Sequence, residues 1–191
     1  MHKFRPSLVE RARAGDDRAL DQLAEEVVPI LLRWCTRLGG NKIDPEDVAH
    51  DVLLVMVAKL PGLREPERFG AWLFQITRKQ LSTHRRKAWA RQWLTGFFPT
   101  FSSNDAGTDD GVWQAELSEA VRAALEVLPV EQREALVLCD IEEWKDADAA
   151  ELLEIPEGTL KSRLRLARKR FREALADRDI TPEMIGARDL A

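Results

Sequence analysis

Acidic and imidazole side chains lie close together in the segment DPEDVAHDV, residues 44–52. Asp47 and Asp51 are about one helical turn apart and His50 lies between them, so the segment carries residue types used in acid–base catalysis and in metal binding. Neither a nucleophile nor a glycine-rich phosphate loop accompanies them. The sequence therefore predicts no catalytic residue, no metal site and no cofactor, and indicates a protein that is not an enzyme.

Cationic side chains occur at helical spacing in the segment IPEGTLKSRLRLARKRFR, residues 155–172. Leu160, Leu164 and Ala167 begin an apolar stripe that continues through Phe171 and Leu175. A helix that docks by such a stripe and has cationic edges suits the major groove of DNA, and a solvated face on an ordinary amphipathic helix is the alternative. At 100° per residue, one flank carries Lys161, Arg165, Arg168 and Arg172, and the opposite flank carries Arg163 and Arg170.

Charge is distributed unevenly along the 191 residues, although the net charge is only −4. The stretch 78–91 carries six Lys and Arg residues and no acid, acids dominate from 105 to 154, and bases return after Pro156. Net negative charge argues against a protein that coats nucleic acid indiscriminately. Two basic segments separated by an acidic one instead predict two nucleic-acid contacts and a middle section that meets something else.

The composition, 45% hydrophobic and 32% charged, is typical of a soluble globular protein. No apolar run approaches the roughly 20 residues that cross a bilayer, and the N-terminal segment lacks the apolar core of a signal peptide. Cys35 and Cys139 are far apart and neither belongs to a CxxC pair, so two buried thiols are expected rather than a disulfide. These features predict a cytoplasmic protein without membrane insertion.

Cap and turn residues divide the N-terminal half into helices. The pattern predicts a first helix that starts with Ser7 as its cap and breaks near Gly15, with Asp17 capping the next helix. Pro29 is expected to kink this second helix, and the Gly39-Gly40-Asn41 run is expected to end it. The Asp44-Pro45 pair predicts the start of a third helix.

A further helix is predicted over RFGAWLFQITRKQLSTHRRKAWARQWL. Its second half is the acid-free basic stretch, and aromatic side chains interleaved with Arg and Lys suit nucleic acid whose bases are unstacked. The alternative is that Trp72 and Phe74 are core residues, and we expect this of at least one of them.

Residues 94–112 interrupt the helical periodicity with Gly, Pro, Ser, Asn and Asp and predict a linker. Its first part is apolar and its second acidic, so we expect it to dock on a domain or a partner. Beyond it, the sequence predicts a helix-turn-helix: a short helix from Asp146 to Glu154, a turn, and then the basic helix. Pro156 suits the first turn of the basic helix, and Thr159 can satisfy free backbone N–H groups at its start. The predicted fold is all-α, with two small helical domains joined by a flexible linker. The predicted boundaries are 1–93, 94–112, 113–176 with the helix-turn-helix, and a tail, 177–191.

Four segments carry a family resemblance. LPVEQREALVLCDIEEW and AAELLEIPEGTLKSRLRLARKRFREAL resemble the C-terminal promoter-binding domain of the extracytoplasmic-function (group IV) sigma factors of the sigma-70 family. DPEDVAHDVLLVMVAKL and FGAWLFQITRKQLSTHRR resemble the N-terminal domain of that family, in matching order, so that the likeness covers about residues 7–176. The resemblance implies an alternative sigma factor that binds core RNA polymerase and directs promoter-specific transcription initiation. It also implies an anti-sigma factor as a partner.

The resemblance assigns residues to three contacts. The segment that docks on the clamp coiled coil of the largest polymerase subunit supplies Asp44, Glu46, Asp47, Asp51 and Leu54. The segment that recognises and opens the −10 element supplies Trp72, Arg78, Lys79, His84, Arg85 and Arg86. The −35 recognition helix supplies Thr159, Lys161, Ser162, Arg163, Arg165 and Arg168.

Some residues depart from the family pattern. Residues 143–146 lack the usual Ser or Thr cap of the helix before the turn, so this helix is expected to be short or shifted. Glu154 stands where Gly is common, and Leu166 replaces a frequent Arg on the outer face of the recognition helix. Lys79 and Thr83 replace the usual Asn and Asp of the −10 segment. These changes affect the expected sequence specificity more than the expected fold.

Two alternatives to a sigma factor remain open. A sigma-like mimic would sequester an anti-sigma factor without binding promoter DNA; the acidic balance favours it and the intact basic flank of the recognition helix opposes it. A stand-alone helix-turn-helix transcription regulator would leave the N-terminal segments unexplained.

Overall fold

The computed structural model describes residues 4–95, 119–178 and 180, and all regular structure in these ranges is helical. The chain divides into two compact units, Met1–Phe101 and Ser102–Ala191. The prediction of an all-α fold with two helical domains is therefore confirmed. The predicted linker lies outside the described residues except for its first two positions, which are helical, and so does nearly all of the predicted tail beyond residue 178.

The first unit is built on four helices. Two 3-10 turns, Leu60–Gly62 and Pro66–Arg68, connect the third to the fourth. The second helix packs against the other three. Trp34 and Phe74 are fully buried, and their ring centroids lie 5.1 Å apart in an edge-on arrangement. Phe74 is therefore a core residue, as expected of at least one member of its pair with Trp72. The helices are α1, Pro6–Arg13; α2, Asp17–Gly39; α3, Pro45–Lys59; and α4, Phe69–Thr95.

Two predicted helix starts are wrong by one or two positions. α1 follows Arg5 and begins at Pro6, so Ser7 lies inside the helix and does not cap it, because proline suits the first helical position. The N-cap of α2 is Asp16, whose carboxylate accepts a hydrogen bond from the Ala19 backbone N–H at 3.1 Å. Asp16 takes this place because the turn before it passes through Gly15 in a left-handed conformation.

The other boundaries of this unit follow the prediction. Asp44 caps α3 and accepts a hydrogen bond from the Glu46 backbone N–H at 2.8 Å, with Pro45 as the first helical residue. α2 continues through Pro29 and ends at Gly39. A Cβ at Gly39 would lie 2.9 Å from Ile43 Cδ1, so a larger residue there would require the Ile43 side chain to shift.

The second unit contains helix α5 over residues 119–126, α6 over Val130–Leu136, α7 over Asp146–Leu153 and α8 over Glu157–Ala176. A π-turn, Val137–Ile141, prolongs α6. α8 packs on α6 and α7. The stripe predicted for α8 is buried throughout: Leu160, Leu164, Ala167, Phe171 and Leu175.

The predicted start of α8 needs correction. Its N-cap is Pro156, and no side chain caps the helix, so Thr159 does not have the capping role expected of it. The Pro156 carbonyl instead accepts the backbone N–H groups of Thr159 and Leu160 at 2.9 and 3.0 Å. In the described part of the chain, no helix has the length and apolar character needed to span a membrane.

Candidate nucleic-acid interface

Helices α7 and α8 form the helix-turn-helix. α7 has only eight residues, and its N-cap, Lys145, makes no side-chain capping hydrogen bond, as predicted. Glu154 ends α7 with φ of 58° and ψ of 41°, in the left-handed region. This conformation costs an L residue about 1–2 kcal/mol. The Ile155 backbone N–H donates to the Ala150 carbonyl at 3.0 Å and closes the end of α7 despite that cost.

The N-terminal half of α8 presents polar and cationic side chains to solvent. Lys161 and Arg165 are exposed one turn apart, and Arg163 is half-buried on the other flank. Leu166 is 37% exposed, which places an apolar group on the same outer surface. The buried stripe on the reverse side holds this half of the helix against the unit and leaves the polar side open to solvent. The remaining exposed residues predicted here are Thr159 and Ser162.

Arg168 is held in a bidentate ion pair. Its Nε and Nη2 donate to the two carboxylate oxygens of Asp140 at 2.9 and 2.7 Å. The Asp140 side chain is only 5% exposed and lies in the π-turn after α6. The hydrogen bonds that Arg168 donates to Asp140 raise the pKa of Arg168 above its usual value. In the free protein, Arg168 therefore cross-links α8 to the end of α6. A phosphate could bind Arg168 only by sharing the guanidinium with the Asp140 carboxylate or by displacing that carboxylate.

The predicted −10 residues divide between two sides of α4. At 100° per residue, Trp72, Arg78, Lys79 and Arg86 fall on one side of the helix, whereas His84 falls on the other. Lys79 and Arg86 are exposed, and Trp72 and Arg78 are half-buried. The Trp72 ring centroid lies 5.7 Å from that of Phe69. The surface available to nucleic acid on this helix is therefore the side that carries the exposed cations.

His84 and Arg85 hold α4 against neighbouring helices. His84 Nε2 lies 2.8 Å from Asp51 Oδ2 on α3, and the His84 side chain is only 13% exposed. Arg85 Nη1 donates to the Leu38 carbonyl in the last turn of α2 at 3.2 Å. These contacts could not be predicted from the sequence, because the partners are 33 and 47 residues apart along the chain.

The predicted polymerase contacts lie on α3. Glu46 and Asp47 are exposed in its first turn, and Leu54 is 57% exposed. Asp47, Asp51 and Leu54 follow the i, i+4, i+7 spacing of a single helix side. Asp44 is half-buried and acts as the N-cap of α3. The structure thus brings an acidic and apolar strip together on α3 and joins it to α4 through Asp51.

Two exposed tryptophans were not assigned a role from the sequence. Trp89 is 59% exposed and Trp93 is 86% exposed, both on the C-terminal half of α4. Their spacing of four residues, which puts both on one side of a helix, was the available signal.

The cysteines are free thiols with suppressed reactivity. Burial raises the pKa of Cys35 to about 12 and that of Cys139 to about 11. The carboxylates of Asp146 and Asp140 add to the effect of burial on Cys139. Almost no thiolate exists at neutral pH under these conditions, so neither group is a nucleophile. Among the residues that the structure describes, no group of three potential metal ligands is found.

Two protein families match the chain in the order of its units. Sigma-70 region 2 matches residues 23–91, and Sigma-70, region 4 matches residues 118–171. Both predicted promoter-contact segments, on α4 and α8, fall within these matches, and so does the strip on α3.

Similar proteins cover nearly the whole chain. The ECF RNA polymerase sigma factor SigD of Mycobacterium tuberculosis is 30% identical over 191 residues, which cover 97% of this chain and 86% of that protein. The ECF RNA polymerase sigma factor SigM of the same species is 32% identical over 163 residues, with 85% and 80% covered.

Solved structures share the fold. The sigma factor RpoE from Bartonella quintana, in complex with the anti-sigma factor NepR, superposes with a TM-score of 0.67 at 28% identity, covering 82% of this chain and 96% of that one. CnrH, in complex with the cytosolic domain of CnrY, superposes with a TM-score of 0.64 at 23% identity, covering 92% and 98%.

The two family matches, the identity to SigD across 97% of the chain and the helix-turn-helix of α7 and α8 agree with one another. They confirm the family resemblance seen in the sequence. The chain belongs to the extracytoplasmic-function (group IV) sigma factors of the sigma-70 family.

Proposed function

We propose that this alternative sigma factor divides its work among three surfaces. α3 docks on core RNA polymerase, the exposed side of α4 contacts the −10 element, and the N-terminal half of α8 contacts the −35 element. The observation that carries this assignment is that part of each predicted set of side chains is exposed, on three helices whose opposite sides are buried. The protein catalyses no reaction of its own and acts in the cytoplasm, where its polymerase and promoters are. The functional domains are residues 1–93 and 113–176.

The −35 contact rests on the exposed part of α8. Lys161 and Arg165 can reach phosphates and base edges from one flank, because phosphate contacts position a recognition helix and base-edge contacts specify sequence. Arg168 lies further along the helix, and its pairing with Asp140 fixes how α8 is presented. Direct readout therefore centres on residues 159–165.

The polymerase contact rests on the strip of Asp47, Asp51 and Leu54. The exposed carboxylate of Asp47, the half-buried carboxylate of Asp51 and a leucine that is 57% exposed suit a protein partner with a basic rim and an apolar centre. The Asp51–His84 contact links this strip to α4, the helix that carries the proposed −10 contact.

An anti-sigma factor is the proposed regulatory partner. The sigma factor RpoE, which is 28% identical to this chain, was solved in complex with the anti-sigma factor NepR. The shared fold over 82% of this chain supports a partner of the same class here.

Reconstitution with core RNA polymerase tests the function. The purified chain should bind core and direct run-off transcription from the DNA upstream of its own gene. A chain that neither binds core nor yields a transcript would contradict the proposal. Binding to an anti-sigma factor without binding to core would identify a sigma-like mimic instead.

Two substitutions test the division of labour. Asp47→Ala should weaken core binding several-fold and leave DNA contacts of the preformed holoenzyme unchanged. Arg165→Ala should weaken promoter binding by about ten-fold, since losing a base contact costs roughly 1–3 kcal/mol, and leave core binding unchanged. Glu10→Ala and Lys169→Ala are matched controls at exposed positions outside the three surfaces. Equal effects of both test variants in both assays would contradict the assignment.

A further inference from the structure

Trp89 and Trp93 present large apolar rings to solvent at the end of α4. The side chains are 59% and 86% exposed, whereas Trp34 in the same unit is 1% exposed. Tryptophan rings contribute much apolar area when they are buried, so two exposed rings on adjacent turns mark a binding surface. No other pair of exposed tryptophans occurs in the described ranges.

The two rings continue the cationic side of α4. Lys79, Ser82, Arg86, Trp89 and Trp93 follow the i, i+3, i+7, i+10, i+14 spacing of one helix side, and all five are exposed. At a rise of 1.5 Å per residue, Trp93 lies about 10 Å along the axis from Arg86, roughly three steps of a nucleic-acid strand. The tryptophans therefore lie next to the proposed −10 contact and within reach of the same strand.

The charge of α4 selects the kind of partner. The helix, Phe69–Thr95, contains six Lys and Arg residues and no acid. A surface of aromatic rings among cations fits a polyanion with exposed bases, because the cations hold the backbone and every base has a face that can stack.

We propose that Trp89 and Trp93 form a stacking platform for unpaired bases of promoter DNA adjoining the −10 element. The inference rests on the proposed function, because it extends the −10 contact of α4 by two helical turns. Stacking is tolerant of sequence, so the platform holds melted DNA open and adds no strict base preference.

The probe is a fluorescein-labelled single strand of mixed sequence, about 20 nucleotides long, compared with its duplex. Fluorescence anisotropy measures its binding to the full chain alone at low salt and to the chain bound to core polymerase, with core alone as background. The variants replace both tryptophans with Ala, with Leu or with Phe, and Val127→Ala is the control at an exposed apolar position in the other unit. All are first compared by thermal unfolding, where truncation of exposed rings should not shift the midpoint.

The Ala variant should bind the single strand about ten-fold more weakly or worse, since each stacked base contributes roughly that factor or more. Duplex binding should change less than about three-fold. The Phe variant should retain most of the affinity, because it can still stack, and the Leu variant should resemble the Ala variant, because it cannot.

Three results would overturn the platform. The Ala variant could bind the single strand as tightly as the wild type, or the Leu variant could keep full affinity. The wild type could also show no single-strand binding beyond background. Loss of binding to core or to an anti-sigma factor with unchanged DNA binding would assign the rings to a protein contact and also overturn it. A chain that fails to bind core but shows the expected series when tested alone would contradict only the proposed function.

Discussion

Glu154 occupies a backbone conformation that glycine adopts more readily. Its φ of 58° lies in the left-handed region, where the Cβ of an L residue approaches its own carbonyl oxygen. The same residue sets the angle between α7 and α8, because it lies in the turn between them. The helix-turn-helix therefore has a conformational cost at its centre, in addition to the missing cap at Lys145.

Replacement of Glu154 by glycine should stabilise the C-terminal unit. The relief of about 1–2 kcal/mol is partly offset by the greater freedom of glycine in the unfolded chain, so a gain of about 0.5–1 kcal/mol in the free energy of unfolding is expected. Urea unfolding followed by circular dichroism measures it. Ala147→Gly, at an exposed helical position of α7, is the control and should destabilise by up to about 1 kcal/mol. Destabilisation by both substitutions would contradict the strain at Glu154.

Asp16 makes the stability of the first unit depend on pH. The pKa of Asp16 is lowered from its ordinary value of 3.8. The main cause is the pair of hydrogen bonds that the Arg11 guanidinium donates, at 2.9 and 2.6 Å, and the second is the hydrogen bond from the Ala19 backbone N–H. Because the folded-state pKa is depressed, the stabilisation is present above pH 3.8 and is lost as the pH falls through the folded-state pKa.

Asp16→Asn should isolate the charge of this cap. Asparagine can still cap α2 but cannot pair with Arg11, so the variant should melt below the wild type at pH 7 and approach it as the pH falls below 3.8. Arg11→Ala should show the same pH dependence, since it removes the same ion pair. Thermal melts across this pH range measure the difference, and a difference that stays constant with pH would rule out the ion pair as its source.

At the scale of helices, α3 and α4 act as one element. The Asp51–His84 contact joins the strip proposed for polymerase to the helix proposed for the −10 element, and Arg85 fastens α4 to the end of α2. Docking of α3 on polymerase would therefore fix the orientation of α4. This explains why Asp51 and His84 are poor candidates for purely external contacts.

A double-mutant cycle on Asp51→Asn and His84→Gln tests this connection. The coupling in the free energy of unfolding should be about 0.5–1 kcal/mol, because the Asp51 side chain is 41% exposed and solvent screens the pair. The Asp47→Asn and His84→Gln cycle is the control and should show no coupling. In transcription assays, Asp51→Asn should lower both core binding and promoter opening, whereas Asp47→Ala should lower core binding alone. Coupling equal to that of the control would show that the contact does not join the helices.

At the scale of the molecule, the distribution of charge explains how a chain of net charge −4 acts on DNA. Its cations are concentrated on α4 and α8, in different units, so each unit alone offers few phosphate contacts. Two weak contacts joined through polymerase gain from effective concentration, which makes promoter binding depend on holoenzyme formation.

The salt dependence of holoenzyme binding should report these contacts one by one. Lys161→Ala should reduce the slope of log affinity against log salt by about one, because one phosphate contact releases about one counterion. Lys169→Ala, on the same helix but outside the proposed contact, should leave the slope unchanged. Filter binding of promoter DNA at several salt concentrations measures both slopes, and identical slopes for Lys161→Ala and the wild type would remove Lys161 from the phosphate contacts.

The sequence by itself determined the features that depend on neighbours within a few turns. The 3.6-residue period predicted the buried stripe of α8, the Asp44-Pro45 pair predicted the start of α3, and the order of family segments predicted two helical domains. The first residue of α1, Pro6, and the N-caps Asp16 and Pro156 differ from the predicted positions by one to three residues. Several adjacent residues can occupy a cap, and the local turn selects among them.

Only the tertiary structure decided which of the predicted site residues face solvent. A helical period shows which side chains share a side, but not what lies against that side from distant parts of the chain. His84, Arg85 and Arg168 looked from the sequence like the other cations, yet their partners lie 33, 47 and 28 residues away and hold them in place. The sequence assigned no role to Trp89 and Trp93, and in the structure no described element covers them. Packing between distant segments separates the side chains that build the two units from those that remain available to polymerase and DNA.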